Sequence, residues 1–226
     1  MKPFDYTLIR SRRRSLELRL YPDRRIEVRV PLRTSERDIH DFLASKADWL
    51  QRRLATMPVV PAPPPLCYQA GEAHLYLGQR YPLQLQVSRR ALTGLQDGQL
   101  CLLTPDPQDA TAVAAQLSRW YRQQAQRIFN RIIDERFPAF AARGYHRPQL
   151  RVRRMKSRWG SLSSQGFINL NLELIKTPER SIEYVVVHEL CHLEHMNHGP
   201  GFRQLLGEQL PDWQQRRLEL NRLPLC

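Results

Sequence analysis

The chain has 226 residues, with 35 Lys+Arg against 22 Asp+Glu for a formal charge of +13 and a sequence pI near 10.2. Its 42% hydrophobic and 25% charged residues are ordinary for a soluble globular protein, which can bury one core or two small ones. Four scattered cysteines (Cys67, Cys101, Cys191, Cys226) without a C-x-x-C pair exclude a disulfide framework and a cysteine-based structural zinc site. The N-terminus lacks an apolar signal region, and no stretch approaches the roughly 18 apolar residues of a membrane span. A cytoplasmic protein with no membrane partner is expected. Nearly all the positive charge is arginine, since lysine occurs only at Lys2, Lys46, Lys156 and Lys176. Such an excess favours nucleic acid, an acidic membrane surface or acidic proteins as partners, although it equally fits a compositional bias of the genome.

Residues 4–31 alternate apolar and polar. Leu16, Leu18 and Leu20 line one strand, Tyr21-Pro22-Asp23-Arg24 turns, and Ile26, Val28 and Val30 line the next, with an earlier strand around Tyr6–Ile9. The cluster Arg10-Ser11-Arg12-Arg13-Arg14 reads as a solvated loop, or more sharply as an anion-contacting one. Thr34-Ser35-Glu36 supplies capping chemistry for a helix reaching Thr56. Its Ile39, Phe42, Leu43, Ala47, Leu50 and Leu54 recur at helical spacing and should cover the hairpin, and Trp49 is read as packing.

Pro58 to Pro65 holds five prolines in eight residues and reads as a stiff connector. The chain is divided accordingly into a hairpin-and-helix unit at 1–57, a connector at 58–66, a small β unit at 67–104, and a remainder at 105–226. Within 72–104, strands are expected at Ala73–Leu77, Tyr81–Val87 and Leu100–Leu103, with Gly71, Gly78, Gly94 and Gly98 at the turns. His74 and His146 are lone histidines, read as structural or exposed. From Asp109 to about Ala142, Val113, Leu117, Trp120, Tyr121, Ala125, Ile128, Ile132 and Ile133 form a long helical stripe that Pro138 kinks or splits. Leu150–Met155 alternates as a strand, Lys156–Gly166 reads as a loop, and Phe167–Leu172 as a second strand. Phe202, Leu205 and Leu206 open another helix, and Pro211-Asp212-Trp213 begins the last, reaching about Arg222.

Between these lies His188-Glu189-Leu190-Cys191-His192, an H-E-x-x-H motif. On a helix, residues four apart share a face, so His188 and His192 can offer two imidazoles to one metal ion. Glu189, about 100° further round, can miss the metal yet reach a water activated by it. A catalytic zinc needs a third ligand and an open position. His195 lies roughly 10 Å along the axis from His188 on an unbroken helix, too far to share an ion. His198 stands in Asn197-His198-Gly199-Pro200-Gly201, a run that stops a helix and can swing it back. The assignment is therefore Zn2+ on His188, His192 and His198, with Glu189 as general base. Glu208 is a weaker third-ligand candidate, Glu219 a carboxylate of the same downstream kind, and Cys191 a packing residue.

Arg154-Met155-Lys156-Ser157-Arg158-Trp159-Gly160-Ser161, then Gly166-Phe167-Ile168-Asn169-Leu170-Asn171, then His188 to His198 with Phe202, resemble the YgjP-like metallopeptidases, metal-dependent hydrolases with a zincin-type catalytic domain. The resemblance covers 150–206 closely and the upstream elements more loosely. Three linked motifs in order are far more specific than H-E-x-x-H alone. Leu162 departs from the Cys that often follows Trp-Gly-Ser in the family. The histidine spacing is also similar to that of WLM and SprT-like proteases acting on DNA-bound proteins. It is more distantly like the metzincins, which carry Gly where this chain has His195.

The resemblance implies an α+β fold with a zincin-like metallopeptidase domain and an N-terminal β-rich part. It also implies a long helix packed behind the H-E-x-x-H helix, and a peptide or protein substrate pairing with an edge strand, here 167–172. Arg158 and Trp159 would line the cleft, and Arg158, His195 and Tyr184 are candidates to stabilise the oxyanion. The alternative is a DNA-associated protein, proteolytic or holding zinc without turnover.

Overall fold

The computed structural model describes residues 4–21, 24–56, 66–156 and 158–223. The proline-rich stretch 58–65, the Pro22-Asp23 turn, Ser157 and Cys226 lie outside the described residues. The chain divides into two units, Met1–Pro65 and Leu66–Cys226.

In the first unit, β1 (Thr7–Ser11), β2 (Glu17–Leu20) and β3 (Ile26–Pro31) form a sheet of order β1-β3-β2. β3 pairs with β2 antiparallel, as the hairpin alternation implies, and with β1 parallel. Helix α1 (Glu36–Thr56) starts where the Ser35 hydroxyl accepts the Asp38 N–H at 3.1 Å. Ile39, Leu43 and Leu50 join Ile26, Val28 and Val30 in one buried cluster. Trp49 is 47% exposed, which corrects its reading as a packing residue. It stands beside Leu50 but outside the 39-43-50 stripe. The basic cluster is partly engaged: Arg10 donates to the carbonyl of Thr34 at 2.6 Å, and Arg13 pairs with Glu17 at 2.8 Å.

The second unit opens with β4 (Ala73–Tyr76), β5 (Gln79–Val87), β6 (Leu92–Gln96) and β7 (Gln99–Thr104), in the order β4-β5-β7-β6. β6 was not anticipated, because Gly94 reads as a turn. Gly94 instead pairs with Cys101 inside an edge ladder, where a glycine is tolerated. Gly71, Gly78 and Gly98 occupy turns at positive φ, as read. Helix α2 (Ala110–Arg136) is capped by Asp109, whose carboxylate accepts from the N–H groups of Thr111 and Ala112. Every residue of its expected stripe is buried. Pro138 splits off a short α3 (Pro138–Ala141).

Then come β8 (Gln149–Arg153), β9 (Gly160–Leu162) and β10 (Phe167–Asn171). Their order is β8-β10-β9, with β10 parallel to β8 and antiparallel to β9. Two expectations change. The 156–166 segment contains a strand, too short for alternation to reveal, and residues 167–171 form the central strand rather than an exposed edge. Both ladders of β10 are occupied, so the edge beside its antiparallel partner belongs to β9.

A 3₁₀ turn at Leu172–Lys176 leads into α4 (Glu179–Cys191), followed by α5 (Pro200–Gln209) and α6 (Trp213–Asn221). The turn after β4 rests on this connection: Leu77 N–H donates to Ile175 O at 2.9 Å and Gly78 N–H to Lys176 O at 3.1 Å. A Cβ on Gly78 would lie 2.7 Å from Pro178 Cγ, so the two turns touch backbone to ring. One buried cluster takes Leu83 and Leu100 from the four-stranded sheet, Phe129 from α2, Leu170 from β10 and Val186 from α4. α2 lies behind α4, and Glu183 of α4 is gripped by Arg136 of α2 and Arg216 of α6. Among the described residues no helix is long and apolar enough to cross a membrane.

Candidate metal centre

Helix α4 is buried on most of its girth, with Ile182, Val186, Val187 and Leu190 at 0% exposure. Such a helix is held by its neighbours, and its motif side chains are fixed against the core. It ends earlier than the glycine-proline run implied. The N–H groups of His192, Leu193 and Glu194 donate three residues back, to Glu189, Leu190 and Cys191. This tightening makes Cys191 the last helical residue and His192 its C-cap, and releases the chain before His195. The His192 Nδ1 lies 2.9 Å from the carbonyl of His195. A proton on Nδ1 donated there leaves Nε2 as the free lone pair. Gly199 then precedes α5 as its N-cap, and His198, just before it, faces back to His188.

The outcome is a cluster of three imidazoles. His198 Nε2 and His188 Nε2 are 3.0 Å apart, and one nitrogen from each of His188, His192 and His198 falls within 4.8 Å of the others. Tetrahedral zinc with Zn–N of about 2.0–2.1 Å separates its ligand nitrogens by about 3.4 Å. The triad therefore fits such an ion with small adjustments. Phe202 is buried at 3% exposure, its ring centre 4.8–4.9 Å from those of all three histidines, and forms the floor of the cluster. Burial, then His192 and His198, push His188 down to about 3, so its imidazole stays neutral and available to a metal. Burial, followed by His192, also lowers His198.

Glu189 is 4% exposed. Burial pushes its carboxyl up to about 8, against the opposing pull of the Leu162 N–H and the Arg158 charge. Its Oε2 is buried without a hydrogen-bond partner among the described residues. A Cβ placed on Gly160 would lie 2.6 Å from Glu189 Oε1, so only glycine lets the strand come this close. Asn171, 0% exposed, holds the preceding loop: its Nδ2 donates to Met155 O at 2.7 Å and Arg158 O at 3.1 Å, and its Oδ1 accepts from Glu173 N–H at 3.2 Å.

His195 stands outside the triad; its ring lies against Gly201 while its carbonyl faces His192. Glu208 is exposed beside Arg143 and Gln204, and Glu219 pairs with Arg180, so neither joins the triad. Cys191 is 0% exposed with its thiol pushed up to about 12 by burial, a packing residue as read. His74 is buried and His146 exposed. Arg158, Trp159 and Tyr184 line a cavity of about 200 Å³ beside Glu189, and Tyr184 also lines one of about 340 Å³ beside His198. Arg217 lines both, and Arg203 the larger.

Sequence reasoning missed Arg203, Arg217, the Gly160 approach and the Asn171 clamp. Arginines on an amphipathic helix read as a solvated face. Leu162, the departure from the family pattern, meets Glu189 through its backbone, a contact the sequence hides.

Among solved structures, the chain is similar to two metallopeptidase zymogens. They are jannalysin of Methanocaldococcus jannaschii (20% identity over 41% of this chain and 92% of that one, TM-score 0.36) and abylysin of Pyrococcus abyssi (20% identity over 43% and 99%, TM-score 0.35). No curated protein matches the sequence. The sequence model of the YgjP-like metallopeptidase domain matches residues 14–223, and the chain therefore belongs to the YgjP-like metallopeptidase family.

Proposed function

We propose that the protein is a zinc-dependent peptidase in which His188, His192 and His198 hold Zn2+ and Glu189 is the general base. The observation that carries this reading is the convergence of three imidazoles beside a buried carboxylate whose Oε2 has no other partner. Zinc, when bound, lowers the pKa of water to about 7 and polarises a carbonyl. Glu189 takes a proton from the attacking water and passes it to the leaving amine. Its high proton affinity suits the second half of that task, and a dication at the triad pulls in the opposite direction, favouring the first. Tyr184 stands one helical turn before His188, their ring centres 5.9 Å apart. Burial raises its pKa, so it remains a neutral phenol able to donate to developing charge on the carbonyl oxygen. Of the three oxyanion candidates, Tyr184 is therefore favoured over Arg158 and His195.

The peptide main chain is assigned to the outer edge of β9 at Gly160, since the Leu162 N–H already bonds Glu189. Asn171 N–H donates to Trp159 O and Ser163 N–H to Phe167 O. In an antiparallel ladder that alternation directs Gly160 and Leu162 away from β10, towards Glu189. Cys101 and Cys191 are not in disulfides, which suits a reducing cytoplasm.

The test is metal content together with turnover. Wild type is expected to hold about one zinc per chain and to cleave peptides. His198→Ala should lose most of the metal, a 10-fold or greater drop in affinity. Glu189→Gln should keep the metal while cleavage falls by about 10²-fold or more. Wild type that is free of metal after gentle purification, or Glu189→Gln that cleaves normally, would sink the proposal.

A further inference from the structure

The two cavities flanking the triad share Tyr184, His188 and Arg217. The larger, about 340 Å³, is lined by Arg203 and Arg217 with no acidic side chain. In the smaller, about 200 Å³, Arg158 and Arg217 face Glu189 as the one carboxylate of the lining. Two neighbouring arginines are matched. Arg216, next in sequence to Arg217, is held by Glu183 and Asp212, and Arg180 is held by Asp212 and Glu219. Among the described residues, Arg158, Arg203 and Arg217 have no carboxylate partner, and Arg203 and Arg217 are exposed.

Guanidinium groups beside a metal-binding triad are electrostatically unfavourable unless something negative is brought to them. The cleft has apolar walls in Phe202, Leu206 and Trp213, which strengthen a charge-assisted hydrogen bond made inside it. Guanidinium is the side chain whose fork matches a carboxylate in two places.

We infer that Arg217, together with Arg203, binds a carboxylate of the substrate in the larger cavity, so that the preferred substrates are acidic peptides. This specificity rests on the peptidase reading above. The carboxylate belongs either to an aspartate or glutamate side chain or to the free C-terminus of the peptide, and the two sources are separable.

The probes are fluorescein-labelled octapeptides of alternating Ala and Glu or Ala and Gln, each with a free or amidated C-terminus. Binding is measured by anisotropy to zinc-loaded Glu189→Gln protein at 0.15 M salt. The expected result is about 10-fold or more tighter binding of the Glu peptide than of its Gln counterpart. That ratio should fall to about 3-fold or less when Arg217→Gln is added, recover in part with Arg217→Lys, and persist with Arg89→Gln, a change at an exposed arginine outside the cleft. A preference retained by the free-acid Gln peptide over its amide assigns the terminus as a source. Equal binding of all four peptides, Glu or Gln and free acid or amide, overturns the inference. So does a preference that survives both Arg217→Gln and Arg203→Gln, or one that Arg89→Gln erodes equally. If the preference holds but wild type cleaves no peptide, the peptidase reading fails and the carboxylate site stands.

Discussion

At the scale of single residues, Glu189 is held by what surrounds it rather than by its own rotamer. Leu162 N–H fixes one side of its carboxylate, and the bare Cα of Gly160 leaves room for the other. Gly160→Ala inserts a methyl where Oε1 now lies, and a displacement of about 1 Å at a reacting group costs on the order of 10²-fold in rate. The expected outcome is a peptidase slowed by about that factor with its zinc content unchanged, checked by turnover and metal analysis on the same preparation. A variant that loses metal and activity together would instead place Gly160 in the folding of the site. The histidines were legible because H-E-x-x-H has a geometric meaning on a helix and Gly-Pro-Gly marks a reversal. Gly160 was not, because its value lies in a contact with a residue 29 positions away in the sequence.

At the scale of elements, amphipathic helices were read well and sheet order was not. The α2 stripe and the α1 face emerge from spacing alone, since a helix buries whichever side is apolar. Whether a strand is central or at an edge depends on pairings that no local pattern encodes, and Phe167–Asn171 was accordingly misplaced as an edge. Glu183 shows how the helices around the site are tied. Burial alone would raise its pKa, but hydrogen bonds from Arg216 and Arg136 outweigh that and hold it below the ordinary value. A carboxylate with a depressed folded-state pKa stabilises the native state above its unfolded value and loses that contribution as pH falls through the folded one. Glu183→Gln should therefore lower stability by about 2 kcal/mol at neutral pH. The gap to wild type should close as the pH drops below about 4.5. Urea unfolding at pH 7 and pH 3.5 measures both, and a gap that is constant with pH would remove the ion pairs from the account.

At the scale of the whole molecule, two hydrophobic clusters serve the two units, one within each. A unit with its own core is expected to fold by itself. The fragment 66–226 should accordingly bind about as much zinc per chain as the full protein, read by metal analysis and circular dichroism, and an unfolded fragment would refute the division. The charge of +13 is spread unevenly over the arginines. Arg131, Arg136, Arg143, Arg147, Arg180 and Arg216 are each paired with carboxylates, and because the net charge already sets those acids against them, the excess resides on the arginines without such partners. The junction of the β4–β5 turn with the segment entering α4 has a consequence for how such chains diversify. With Leu77 and Gly78 bonded to Ile175 and Lys176, and Gly78 seated on Pro178, the four-stranded sheet abuts the root of the histidine-bearing helix. A chimaera importing that sheet from a relative would have to import the matching 172–178 segment too, which makes the pair a single heritable block.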